Sequence, residues 1–143
     1  MNSYLVDINV WLALLVQQHA HHTPSLDWFS ARGPGEVGLC RIAQLGVVRL
    51  MGNARVMQGA PVRAARAWGA VRESLDDERV EFLDEPAGID AIVPTLFQYP
   101  VPTPQLINDA YLAAFAMASR RRLATYDRGF RQFRGLDVEF LGD

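Results

Sequence analysis

Tyr4-Leu5-Val6-Asp7-Ile8-Asn9-Val10-Trp11-Leu12-Ala13-Leu14-Leu15-Val16 joins a short apolar run to a carboxylate and then to a longer apolar segment. The run before Asp7 has the composition of a buried strand. Asn9 can cap the helix that follows, through residues 10–16. That helix is apolar nearly all round, which predicts burial rather than an amphipathic surface position.

The same alternation continues outward. Thr23-Pro24 supplies a hydroxyl cap and a proline suited to a first helical turn, with Leu26, Trp28 and Phe29 on the apolar side. Residues 36–39 read as a second strand. Over Arg41–Met51, Ile42, Leu45 and Val48 recur at helical spacing. Pro61 opens a further helix to about residue 75, with Trp68 on its apolar side. Residues 80–83 form a third strand candidate. Residues 86–97 read as a helix kinked at Pro94, and the prolines between 99 and 104 demand an extended loop. A helix over 105–119 and strands over 123–125 and 138–141 complete the pattern. Five short strands separated by helices predict an α/β fold, a three-layer α/β/α sandwich around a mainly parallel sheet. With no linker, repeat or low-complexity tract, residues 1–143 read as a single domain.

Composition narrows the chemistry. The 143 residues are 50% hydrophobic and 21% charged, enough to bury a core. All 14 basic Lys and Arg positions are Arg, which excludes Schiff-base chemistry and lysine-dependent phosphate loops. One cysteine, Cys40, excludes a disulfide framework and a thiolate zinc cluster, and it reads as a small buried residue. The net charge of −2 argues against a uniformly basic nucleic-acid binder, though not against a local patch. No apolar run reaches the roughly 20 residues of a membrane span, and no signal peptide is evident, so a cytoplasmic protein is expected.

Three acids need an explanation. Asp109 lies near the start of a helix that is apolar on almost every face, Leu106-Ile107-Asn108-Asp109-Ala110-Tyr111-Leu112-Ala113-Ala114-Phe115. A carboxylate there is expensive to desolvate unless paired or bound to a cation. Asp7 ends the first strand and Asp127 follows the fourth. In a parallel sheet both lie at the carboxyl edge, where ligands bind at the point of strand-order reversal. Each acid has an ordinary explanation: a turn at Asp7, a cap at Asp127, a salt bridge at Asp109. Together they predict a site for a hard divalent cation, Mg²⁺ or Mn²⁺, with Asp7, Asp109 and Asp127 as ligands.

In order and spacing, strand-Asp7-Ile8-Asn9, Asn108-Asp109-Ala110-Tyr111-Leu112 and Leu123-Ala124-Thr125-Tyr126-Asp127-Arg128-Gly129 resemble the PIN-domain ribonucleases, and more narrowly the VapC toxins of bacterial toxin–antitoxin modules. The resemblance spans essentially the whole chain. It implies a Mg²⁺- or Mn²⁺-dependent endoribonuclease that hydrolyses RNA with metal-activated water, forms a homodimer and is restrained by a small antitoxin protein. The family commonly carries Glu on the helix after the second strand. Here the matching residue is Gln44, which puts a two-metal site in doubt. Asn9 and Thr125 would orient ligands or water, and Arg128, beside Asp127, would contact phosphate.

Other residues have plainer readings. Arg120-Arg121-Arg122 complements a helix end. His19, His21 and His22 lie in a turn without a carboxylate pattern, and Gln44 could simply face solvent. Two further functional readings stand beside the nuclease. One is a catalytically weak or inactive module of the same fold that binds RNA or protein. The other is a phosphatase or small-ligand protein, against which count the absence of lysine and of a second Asp after Asp7.

Overall fold

The computed structural model describes residues 3–97 and 104–142. Five strands form one sheet: β1 (Tyr4–Val6), β2 (Val37–Cys40), β3 (Val80–Leu83), β4 (Arg122–Thr125) and β5 (Val138–Phe140). Their order is β3-β2-β1-β4-β5 and every pairing is parallel. The helices are α1 (Ile8–Leu15), α2 (His22–Ser30), α3 (Arg41–Met51), α4 (Ala64–Ser74), α5 (Ile89–Leu96) and α6 (Pro104–Ser119), with a 3₁₀ turn at Arg128–Gln132. From β1 the chain steps outward to β2 and β3, then crosses back to β4 and β5. Right-handed crossovers therefore put α1–α4 on one face and α5–α6 on the other, giving the three-layer sandwich expected. Strand order reverses between β1 and β4.

Every residue of β1 and β2 is buried, as a sheet covered on both faces requires. On α6, Ala110, Leu112, Ala113, Ala114, Phe115 and Ala116 are all buried. So many small side chains let this helix lie close against its neighbours. Trp11 is 1% exposed, in line with the core position read for α1.

Several element boundaries differ from expectation for identifiable reasons. Asp7, not Asn9, caps α1: its side chain accepts from Ile8 N, while Asn9 is exposed in the first turn. Helix α2 begins at His22, so Pro24 falls inside its first turn and Thr23 is not the cap. Helix α4 begins at Ala64 rather than Pro61, because Val62 N donates to Met51 O and draws the segment out of helical conformation. Helix α5 begins at Ile89, after Gly88 with φ of +87°. On α3 the buried side is Ala43, Gln44, Gly46, Val47 and Met51, and Leu45 is 51% exposed. Small residues set the packed face there: a Cβ on Gly46 would stand 2.5 Å from Ile8 Cδ1. Trp68 is also exposed in part, at 39%. The extended loop read between 99 and 104 lies outside the described residues, except that Pro104 begins α6.

Candidate active site

The carboxyl edge of the sheet, at the strand-order reversal, carries Asp7 and Asp127. Asp7 follows β1 directly. Its backbone N–H donates to Ala124 O at 3.0 Å, which ties it to β4. Asp7 is 5% exposed and each of its carboxylate oxygens accepts one hydrogen bond, Oδ1 from Ile8 N at 2.7 Å and Oδ2 from Thr125 Oγ1 at 2.7 Å, which leaves a lone pair on each. Thr125 Oγ1 also accepts from Asp127 N at 2.9 Å. One hydroxyl, completely buried, thus links two acids from strands far apart in sequence. Thr125 is thus more than a buried β-branched strand residue. Asp127 Oδ1 accepts from Gly129 N at 2.8 Å and caps the 3₁₀ turn, which fixes this carboxylate's orientation.

Asp109, on α6, completes the set. Burial and the negative charges of Asp7 and Asp127 push its carboxyl up to about 7. Asp7 is raised chiefly by burial, partly offset by its hydrogen bonds, with a further upward contribution from Asp127. The three acids therefore share one electrostatic environment. None of the ion pairs among the described residues involves any of them; these join Arg79 to Asp77, Arg121 to Glu81, and Arg122 to Asp137 and Glu139. Protonation of Asp109 is a second way to relieve the repulsion, one the sequence pattern did not suggest.

This donor set fits a hard divalent cation by its chemistry: carboxylate oxygens in partial burial, with no guanidinium neutralising them among the described residues. It fits as an open site rather than a closed cage. Among the described residues no three His, Cys, Asp or Glu side chains are disposed to hold an ion by themselves. Mg²⁺ suits such a site because it retains several waters.

The remaining candidates are sorted by position. Gln44 is 1% exposed, so the solvent-facing alternative fails; its Oε1 accepts from Arg41 Nη1. Arg128 is exposed at the same edge, its guanidinium 4.9 Å from the Phe140 ring centroid. Arg121 and Arg122 lie at the opposite edge, where Arg121 bonds Tyr4 O and Gly35 O. Glu36 is there as well, accepting from Gly33 N. Of the histidines, His22 Nδ1 bonds Ala13 O and His21 stacks on Tyr126 at 4.2 Å. Cys40 is buried, its thiol pushed up to about 11 by burial. Sequence reading missed Arg41, though its position three residues before Gln44 was a usable signal. It also missed Tyr111, which donates to Glu85 at 2.6 Å and fastens α6 to the segment after β3.

The PIN domain family profile matches residues 4–136. "Ribonuclease VapC41" of Mycobacterium tuberculosis is 37% identical over 96% of this chain and 97% of its own length. The chain is a PIN domain of the VapC family. Another relative of this PIN domain, "Ribonuclease VapC29" of the same organism, is 32% identical, covering 96% of the chain and 94% of the relative. Among solved structures, M. tuberculosis VapC20, described as a sarcin–ricin-loop-cleaving toxin, superposes with a TM-score of 0.68 at 19% identity, covering 96% of this chain and 99% of that one. The VapBC2 complex of Rickettsia felis gives 0.66 at 15% identity, covering 97% and 98%. These two share the fold. Among the described residues no helix is long and apolar enough to cross a membrane.

Proposed function

We propose that this PIN domain is a divalent-cation-dependent endoribonuclease, the toxin of a toxin–antitoxin module, acting in the cytoplasm as a homodimer restrained by a small antitoxin. The observation that carries the reading is the Thr125 hydroxyl that ties Asp7 to Asp127 at the strand-order reversal, with Asp109 raised by both their charges and no ion pair to any of the three among the described residues. The ribonuclease names of relatives above 30% identity supply the substrate class. The VapBC assemblies among the structural neighbours supply the kind of partner.

In this reading Asp7, Asp109 and Asp127 hold Mg²⁺ or Mn²⁺. Such an ion supplies Lewis acidity, making water a competent nucleophile near neutral pH and offsetting charge on the phosphodiester. The chain's own residues do the rest. Thr125 keeps the Asp7 carboxylate in one orientation. The Gly129 amide does the same for Asp127. Arg128, unpaired with any acid among the described residues, receives a phosphate oxygen of the RNA. Asn9, exposed in the first turn of α1, offers its amide to the same strand. Attack by water leaves a 5′-phosphate and a 3′-hydroxyl.

The test is sequencing of 5′-phosphate RNA ends after induced expression, beside an Asp109→Ala strain. Discrete cut sites that vanish in the variant support the reading; identical ends in both strains overturn it. Gln44 in place of the family's usual Glu favours one second reading, a weakened module that binds RNA without cutting it. Purified protein that retains RNA while yielding no metal-dependent cleavage would select that alternative.

A further inference from the structure

We infer that Arg41 is a positioning residue that claims the Gln44 carbonyl, so that Gln44 presents N–H donors, not an oxygen ligand, and the acidic edge takes a single divalent ion. This rests on the reading above that the three acids hold a cation.

The orientation of the Gln44 amide follows from hydrogen-bond chemistry. A guanidinium carries donors only, so the group facing Arg41 Nη1 has to be Oε1. Arg41 is itself held, its guanidinium 4.7 Å from the Phe82 ring centroid on β3 and 5.5 Å from that of Trp68 on α4. Aromatic faces attract a cation and restrict its rotation. With Oε1 committed, the free end of Gln44 is the Nε2 amide, which has no protein partner among the described residues. Gln44 is 1% exposed, so its N–H protons do not face bulk solvent and are left to a small oxygen partner such as a water.

Topology puts α3, which carries this donor, at the same edge of the sheet as Asp7. Helix α3 leaves β2 at the carboxyl edge, and β2 pairs with β1, which leads into Asp7. Cys40, the residue before Arg41, feels the Asp7 charge. A family Glu at this position would bring a fourth acidic oxygen donor. Gln44 brings an N–H pair, which cannot ligate a cation and suits a carboxylate or phosphate oxygen. A second ion then lacks its charge compensation.

The experiment counts Mn²⁺ bound per chain, by calorimetry and by paramagnetic resonance of free Mn²⁺, on the full chain. Wild type takes up one ion. Gln44→Glu alone also takes up one, because Arg41 pairs with the new carboxylate. The double variant Arg41→Met/Gln44→Glu takes up two, and Arg41→Lys/Gln44→Glu, which retains a cationic donor, returns to one. Two ions in wild type or in Gln44→Glu overturn the inference, as does a single ion in the Met-containing double variant. Should that variant not fold, Arg41→Gln/Gln44→Glu, which also lacks the cation, is counted in its place with two ions again expected and one ion again overturning the inference. Failure of the underlying reading looks different: no ion is bound by wild type, or binding is unchanged by Asp109→Asn.

Discussion

Thr125 donates to Asp7 Oδ2 at 2.7 Å across 118 residues of sequence, and the same hydroxyl accepts the backbone N–H of Asp127. Two of the three acids thus depend on one oxygen. Thr125→Val keeps the shape and removes it. Leaving a buried carboxylate and an amide short of partners costs about 1–3 kcal/mol of stability. Misaligned ligands cost a further 10–100-fold, roughly, in metal affinity or RNA cleavage. Thr125→Ser retains the hydroxyl and recovers most of both. Urea denaturation and cleavage of a defined RNA measure the two effects.

Asp109 sets a pH dependence. Its carboxyl ionises near 3.8 in an unstructured chain and holds its proton to about 7 in the fold. Between those values the folded state binds more protons than the unfolded one, so stability falls as pH rises through this window and levels off above it. With solvent screening of a half-buried group, the effect is on the order of 1–2 kcal/mol. In EDTA the melting temperature is therefore higher at pH 5 than at pH 8. Asp109→Asn flattens that slope and is the more stable protein at pH 8. Equal slopes in the two proteins would show that Asp109 does not carry the dependence.

Asp7→Asn separates charge from structure. An Asn oxygen still accepts from Ile8 N, so α1 keeps its cap. The lost negative charge weakens cation binding, and RNA cleavage falls by more than about 100-fold while the circular dichroism spectrum is retained. Chelation of divalent ions has the same effect on the wild type, and added Mn²⁺ reverses it.

Two glycines differ in how much an added methyl costs. At Gly46 it meets the end of the flexible Ile8 side chain, which can turn aside, so Gly46→Ala costs about 1 kcal/mol. At Gly38 it meets the Tyr4 carbonyl oxygen within the sheet and Leu83 Cδ1 at 2.5 Å. Backbone cannot rotate away, and Gly38→Ala costs about 3 kcal/mol or more. Thermal unfolding of both variants ranks them.

Strand and helix types were legible because β-branched and aromatic runs alternate with helical spacing throughout. Residues 80–83 and Arg41–Met51 fall where the pattern put them. The meeting of Asp7 and Asp127 was legible too, since parallel strands end at a common edge. What escaped was set by contacts between distant segments. The start of α4 is decided by a bond from Val62 to Met51. The inward face of α3 follows small side chains rather than the most hydrophobic ones, so Leu45 was misplaced and the burial of Gln44 was missed. The resemblance pointed to Thr125 as an orienting residue, but a strand segment whose only local feature is a β-branched residue does not show that one hydroxyl serves both acids. The raised Asp109 carboxyl depends first on burial and then on the charges of Asp7 and Asp127, contributed by other elements.

The central pair of strands, β1 and β4, is also the frame on which the acids are mounted. Any partial opening that parts these strands separates Asp7 from Thr125 and Asp127 while much of the helical periphery can persist. Under the proposed function, a damaged or half-made copy of this chain would thereby be disarmed before it is fully unravelled, and only molecules whose inner seam is closed would be able to cut.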